Sequence, residues 1–346
     1  MSDKIGIALV GVGMAAKPHA HALKDLEHVL EVRGVYSRSQ DARSKFCKTY
    51  NFPESSNLHA LAQDPTVDAL LLITPPDARS EIVSLFASNG KHILSEKPLE
   101  RTVENAEGIV ETCVTAGVSL GVVFQHRFRA ASEILFDMLH QGQFGTIHVI
   151  RAEVPWWRSQ DYYDESGRGS YARDGGGVLI SQAIHTLDLM LQMSGPVTSV
   201  QAMCAKTPFH QMEAEDVVVG AFKFENGAIG SIFASTASFP GGAESLTFEC
   251  EKASLKLKAG ILKVDWRNGQ SQSFGEKAQT GAGADPMAFP YEWHKSLIAD
   301  FVNAIKTGRQ PRVTGVQALR VQRLIRAIEI SSREARQIIL KEKVSS

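Results

Sequence analysis

A chain of 346 residues is longer than one hydrophobic core usually serves, so two domains of roughly 100 to 200 residues each are expected. A formal net charge of −1, with apolar and charged fractions near globular averages, argues against nucleic acid or an acidic membrane as partner, and no apolar run approaches the ~18 residues of a membrane span. Cys47, Cys113, Cys204 and Cys250 are scattered with no CxxC pairing, which argues against a disulfide framework or a cysteine zinc site and makes a reducing cytoplasm the expected compartment.

The chain opens on Ile5-Gly6-Ile7-Ala8-Leu9-Val10, too short for a signal peptide and apolar enough for a buried strand. Strands are predicted at 4–10, 30–36, 67–73, 91–95 and 118–124. Helical stretches fall between them near 14–26, 39–50, 77–88 and 102–116, the last with Thr102 as N-cap. Short apolar runs alternating with helices imply an α/β, doubly wound parallel sheet of the Rossmann type over residues 1–125. From Arg127 the texture changes: one helix near 130–141 is followed by apolar segments punctuated by turns. Glu225-Asn226-Gly227 joins two of these into a hairpin, and Asn268-Gly269 marks another, because Asn-Gly supplies the positive φ angles a tight hairpin needs. A mostly antiparallel sheet in an α+β domain over 126–346 is therefore predicted, with helices at 291–306 and 314–335 bracing it. Trp293, Leu297 and Phe301 recur on one face of the first of these helices.

Directly after the first strand, Gly11-Val12-Gly13-Met14-Ala15-Ala16 matches GxGxxA, a dinucleotide-binding turn. Its tight bend lets the backbone approach a pyrophosphate, and its small last residue lets the helix pack. Pro18 agrees with a helix starting there, since proline is tolerated in a first turn whose N–H groups have no intrahelical partner. The second strand ends in Val35-Tyr36-Ser37-Arg38-Ser39 with no acidic residue to hold a ribose 2′-hydroxyl. Ser37 and Arg38 can instead donate to a 2′-phosphate, which leans the cofactor toward NADP over NAD; a solvated or adenine-stacking arginine is the alternative.

The fourth strand ends in Ser95-Glu96-Lys97-Pro98, which sets a lysine at the carboxyl edge of the sheet, where open α/β folds bind ligands. With the glycine turn, this segment resembles the glucose-fructose oxidoreductase, inositol dehydrogenase and MocA (Gfo/Idh/MocA) family. The likeness covers nearly the whole chain. It extends to Thr74-Pro75-Pro76, to Arg127-Phe128, to Asp174-Gly175-Gly176-Gly177 before His185-Thr186-Leu187-Asp188, and to Phe301-Val302-Asn303-Ala304-Ile305. The resemblance implies an NAD(P)-dependent enzyme that interconverts a hydroxyl and a carbonyl on a sugar, inositol or sugar acid, needs no metal, and assembles as a homo-oligomer, dimer or tetramer. It implies that Lys97 orients and polarises the substrate oxygen and that His185 transfers the proton, a task suited to imidazole. Thr74, Pro75 and Glu96 would flank the cofactor beside Lys97, and Gln125, Arg127 and Ser181 would face substrate.

Two positions depart from the family pattern. Ser181 stands where many members carry an aspartate four residues before the histidine, and a hydroxyl cannot raise the basicity of His185 as a carboxylate would. Arg79 stands where the Thr-Pro-x-x-x-His histidine commonly falls. Between the motifs, Pro155-Trp156-Trp157-Arg158-Ser159-Gln160-Asp161-Tyr162-Tyr163 mixes indoles, phenols and an arginine. Trp157, Arg158 and Tyr163 are therefore candidates for substrate contact, with core packing as the alternative. His19, His21, Asp188, Glu215 and Asp216 invite a metal reading, but His185 and Asp188, three apart on one helical face, have no second histidine at ligand spacing, so no metal is expected. Two other functions fit the same motifs: a dinucleotide-binding regulator without catalysis, and a lyase or glycosidase that uses transient oxidation.

Overall fold

The computed structural model describes residues 4–279, 281 and 289–340. They fall into two compact units, one of residues 1–125 with 290–319 and the other of 126–289 with 320–346.

The first unit begins β1 (Ile5–Val10), α1 (Ala16–Asp25), β2 (Leu30–Tyr36), α2 (Gln40–Tyr50), α3 (Leu58–Gln63) and β3 (Ala69–Leu72). It continues α4 (Arg79–Ser88), β4 (His92–Ser95), α5 (Val103–Thr115) and β5 (Leu120–Val122). The five strands pair in parallel in the order β2-β1-β3-β4-β5, so β1 and β3 lie side by side with Leu9 opposite Leu71. Leu9, Leu70, Leu71, Leu72 and Ile93 are fully buried, as strands covered on both faces require. Thr102 caps α5 as predicted, its hydroxyl accepting from the Asn105 N–H at 3.2 Å. The order reverses between β1 and β3, and at such a switch point the strands' carboxyl ends leave a crevice for ligands.

After α6 (Ala130–His140) the second unit runs β6 (Ile147–Pro155), α7 (Gln160–Tyr163), a π-helical turn (Leu179–Ala183), α8 (Ile184–Ser194), β7 (Val197–Ala205), β8 (Val217–Phe224) and β9 (Ile229–Ser235). β10 (Ser245–Cys250), β11 (Ala253–Lys258), β12 (Ile261–Trp266) and β13 (Ser271–Gly275) complete the run of strands. Nine strands form one sheet, ordered β13-β12-β11-β10-β6-β9-β8-β7-β14, with β14 spanning Ile338–Ile339; only the β6/β9 pair is parallel. Burial alternates along β9 and β11, so one face is covered, by α8 over β6 and β10 and by α6 over β12 and β13 at one edge, and the other is open.

One predicted element changes place. The helix α9 (Glu292–Thr307) does not brace the sheet; it packs on α1 in the first unit, so the expected second domain over 126–346 is interrupted at 290–319. Phe301 lies over Gly121 of β5, where a Cβ would come within 2.9 Å of its ring, and Lys295 pairs with Asp25 at 2.9 Å. Leu297 and Phe301 are buried as predicted, but His294 rather than Trp293 completes the inward face. α10 (Gly315–Glu334) follows, and Ser331 near its end donates no less than it receives, accepting the Ala202 N–H of β7 and donating to the Arg336 carbonyl.

Candidate active site

The glycine turn sits on the switch point. Gly11 has φ +104°, and a Cβ there would lie 2.8 Å from the Ile73 carbonyl carbon and the Thr74 nitrogen, so only glycine lets β1 leave beside the end of β3. Its N–H donates to the Tyr36 carbonyl at 2.9 Å, tying the turn to β2. A Cβ on Gly13 would meet nothing within 4 Å, so the backbone there faces open space, with Met14 exposed beside it. At the start of α1, Ala15 offers no capping side chain, which leaves the helix's positive end to an anion. Thr74 Oγ1 is buried with no hydrogen-bond partner, and Pro75 is exposed next to it. Open backbone, an uncapped helix and an orphaned hydroxyl together fit a dinucleotide pyrophosphate.

At the end of β2, the Ser37 carbonyl accepts from Arg43 Nη1 at 2.7 Å, and Arg43 is itself held by Glu54, also at 2.7 Å. That buried arginine escaped the sequence reading. Arg38 is exposed and makes no ion pair among the described residues, so its guanidinium is available to a ligand phosphate.

The Glu96-Lys97-Pro98 corner is fixed from both sides, and its Lys97–Pro98 peptide is cis. Glu96 is buried; its Oε2 accepts the Lys97 N–H at 3.0 Å and its Oε1 meets His19 Nε2 at 2.8 Å. Burial alone would raise this carboxyl, but the hydrogen bond from His19 and the positive charge around it, Lys97 included, hold it down at about 2. Arg79, the departure from the family histidine, is buried under the same corner. It donates to the Thr74 carbonyl at 3.0 Å and 2.7 Å and to the carbonyls of Glu96 and Pro98. Burial lowers Arg79 to about 10 against the pull of Glu96, Glu100 and Asp77, so it stays charged at neutral pH. Its side chain thus links the β3 turn to the backbone on both sides of Lys97, which is itself half-buried.

His294 arrives from α9 to stand edge-on to His19, with ring centroids 4.8 Å apart. Burial pushes His294 down to about 3, so it is neutral. His19, Glu96 and His294 hold their ligand atoms within 4.8 Å of one another and are the one metal-capable group among the described residues. Chain spacing gave no hint of it, because His294 comes from a distant helix. Gln125, where the first unit ends, is buried with Oε1 unpartnered, as a ligand-facing amide would be.

In the second unit the triple glycine is clamped by Glu215. Its carboxylate accepts the N–H groups of Gly177 at 3.1 Å and Leu179 at 3.0 Å, and a Cβ on Gly177 would overlap the Glu215 carbonyl oxygen. Burial raises the Glu215 carboxyl to about 7 despite those donors. The clamp feeds the π-helical turn, which holds half-buried Ser181, and then α8, which holds His185 and Asp188. His185 is buried and stacks on His126, with centroids 4.6 Å apart and planes at 25°. His126 Nε2 lies 2.6 Å from Arg129 Nη2, and Arg129 is paired with Glu244 at 2.7 Å. His126, Arg129 and Glu244 carried no motif beyond their closeness to Arg127-Phe128 or none at all.

Three predicted substrate contacts are occupied elsewhere. Arg127 makes a two-pronged ion pair with fully buried Asp188, at 2.7 Å and 2.6 Å, bracing the start of the unit to α8. Burial raises the Asp188 carboxyl and Arg127 opposes the rise. Arg158 is 2% exposed, donates to the carbonyls of Trp157 and Gly281, and lies over the rings of Trp156 and Tyr162. Tyr163 is buried against Met212 and Ala214, with its hydroxyl 2.7 Å from Thr236 Oγ1. For these two the core-packing alternative describes the structure. Trp157 alone of that stretch's candidates is partly exposed, edge-on to Phe239 and Phe209.

Residues 5–124 match the model of an oxidoreductase family with an NAD-binding Rossmann fold, and residues 134–256 match the Gfo/Idh/MocA C-terminal domain. The chain is similar to the WlbA dehydrogenase of Bordetella pertussis, solved with NADH and UDP-GlcNAcA: 28% identical, TM-score 0.86, covering 99% of both chains. It is 26% identical to D-apiose dehydrogenase of Paraburkholderia graminis over 96% of this chain and 89% of that one. Myo-inositol 2-dehydrogenase of Thermotoga maritima is also 26% identical, over 65% of this chain and 67% of that one.

Proposed function

The chain belongs to the Gfo/Idh/MocA oxidoreductases, and from that premise we propose that it oxidises a secondary hydroxyl, or reduces the matching carbonyl, on a sugar, inositol or sugar acid, with Lys97 and His185 serving one substrate oxygen. The observation that carries this reading is the shared sheet edge, where the open backbone at Gly13, the orphaned Thr74 hydroxyl and the braced Lys97 corner follow three strands' carboxyl ends.

Nicotinamide dinucleotide, when bound, supplies the two-electron chemistry. Gly11, Gly13, Met14 and Ala15 hold its pyrophosphate against the start of α1, with Thr74, Pro75 and Glu96 beside it. Arg38, exposed and without an ion pair among the described residues, is suited to a 2′-phosphate with Ser37, so NADP is favoured over NAD. The Lys97 ammonium donates to the substrate oxygen and steadies the negative charge that develops there. His185 takes the hydroxyl proton as the carbon is oxidised and returns it in reduction. Ser181 donates or accepts a hydrogen bond without adding charge, and Gln125 and Trp157 remain as contacts to the sugar. Arg127 supports the site through Asp188 rather than by touching substrate.

No helix among the described residues is long and apolar enough to cross a membrane. A cytoplasmic homo-oligomer is the accompanying proposal, supported by a row of exposed apolar residues, Met203, Val219 and Phe233, paired across β7, β8 and β9 on the open sheet face. The test of function is a panel of polyols, aldoses, inositols, sugar acids and nucleotide-linked sugar acids, assayed with NAD and NADP separately by the absorbance of the reduced nicotinamide. Turnover of a carbohydrate hydroxyl, faster with NADP, is expected. No turnover across the panel with either cofactor, in protein shown to bind dinucleotide, would overturn the enzymatic reading.

A further inference from the structure

His185 rests on a ring whose own hydrogen bonding fixes its charge. Arginine has only donors to offer, so where Arg129 Nη2 meets His126 Nε2 at 2.6 Å the imidazole nitrogen must accept. That leaves the ring proton of His126 on Nδ1 and the ring neutral. Arg129 is in turn fixed by Glu244 at 2.7 Å, with both side chains buried. Burial pulls the Arg129 guanidinium down and Glu244 opposes the pull, which keeps the donor charged.

We propose that His126, Arg129 and Glu244 form a positioning device for His185: the carboxylate sets the guanidinium, the guanidinium holds His126 neutral, and this flat ring sets the plane of His185 and leaves it the one imidazole of the pair that takes a proton. The stacking geometry, 4.6 Å and 25°, carries the first half of this claim, because a ring packed face to face cannot swivel without losing its contact. Electrostatics carries the second half. Two imidazolium rings at that separation repel in a buried site, and protonating His126 at Nε2 would also set a second cation against Arg129. The charged and titratable groups near the pair include Arg129, Glu244 and Lys258, which shares a small cavity with His126, and Asp188, which is engaged by Arg127.

The inference rests on reading His185 as the proton carrier, and the test separates the two. In full-length protein labelled with ¹⁵N-histidine, with the His126 signals assigned from the His126→Phe spectrum, His126 is expected to stay neutral and protonated on Nδ1 from about pH 5 to 8, the range in which an ordinary histidine titrates. His126→Ala is expected to lower kcat roughly 10- to 100-fold, with KM and dinucleotide Kd within a few-fold, the size expected when a reacting group is misplaced by about an ångström. His126→Phe keeps a flat neutral ring and is expected to recover most of that loss, which a general packing defect would not predict. In Arg129→Gln, His126 is expected to begin titrating within the same range. A His126 that titrates in the wild-type protein overturns the proposal. So does a His126→Phe variant as slow as His126→Ala, or a His126→Ala variant at full turnover while His185→Ala is inactive. Full turnover in His185→Ala instead removes the proton-carrier reading, and the tautomer measurement still decides the state of His126. Should His126→Ala fail to fold, the wild-type spectrum and the His126→Phe rates carry the decision.

Discussion

Lys97 and His185, the two side chains proposed to act on substrate, are held by frames of opposite character. Around Lys97 the supports stay ionised across the ordinary pH range, Glu96 held near 2 and Arg79 near 10, and they grip backbone atoms of the corner itself. Around His185 the supports are an imidazole ring, a buried ion pair and a glycine clamp whose carboxyl sits near 7. The comparison teaches that pH reaches the two halves of the chemistry unequally. The lysine corner is set by charges that do not change, whereas the histidine segment includes in Glu215 a support that titrates near neutrality.

The largest expected effect is at the lysine. Lys97→Ala should lower kcat by roughly 10²- to 10⁴-fold, the usual contribution of a positioned acid or base, with dinucleotide affinity by fluorescence titration within a few-fold. Wild-type turnover in that variant would remove Lys97 from the mechanism. On the histidine side, Asp188→Ala leaves the Arg127 guanidinium buried without its carboxylate and should cost about 3–5 kcal/mol in chemical denaturation. A cost under about 1 kcal/mol, the range of exposed pairs, would mean the pair is not the brace described. Next, Arg79→Met removes the cation that joins Thr74 to the Glu96 and Pro98 carbonyls. It should reduce kcat by up to roughly 10²-fold through misplacement of Lys97, and an unchanged kcat would break the picture of a rigidly framed corner.

The clamp sharpens the comparison through pH. The folded state raises Glu215 from 4.5 to about 7, so it favours the protonated carboxyl; that contribution is complete below the ordinary value and is lost as pH rises through the raised one. Glu215→Gln cannot ionise and should keep its stability between about pH 5 and 8 while the wild type loses on the order of 2–3 kcal/mol. Parallel stability curves for the two proteins would contradict the assignment. The smallest effect is at the cofactor: Arg38→Ala should raise KM for NADP several-fold, about 1 kcal/mol, and leave KM for NAD nearly unchanged. Equal changes for both cofactors would place Arg38 away from the 2′-phosphate.

How much of this was legible in the chain follows the same division. The phosphate turn, the lysine corner and the Thr102 cap are written in consecutive residues, because backbone geometry and a helix end are local matters. The parallel sheet was equally plain from its short apolar strands. The frame of His185 was not, since Arg129 and Glu244 lie 115 positions apart and each looks like an ordinary surface charge until the fold joins them. The periodic face of α9 fits any apolar surface; Gly121 giving room to Phe301, and Asp25 meeting Lys295, decide that it packs in the first unit. Arg158 and Tyr163 misled for a related reason, because aromatic rings beside an arginine pack a core as readily as they line a sugar pocket.

The central claim is that Lys97 and His185 act on one oxygen, and a double-mutant cycle in kcat tests it most directly, using the best substrate of the panel and the variants Lys97→Ala, His185→Ala and both together. Residues that act as a unit are strongly non-additive, so the double variant should be little slower than the slower single variant. A loss equal to the product of the two single losses would show that the lysine and the histidine work independently, and would contradict the account.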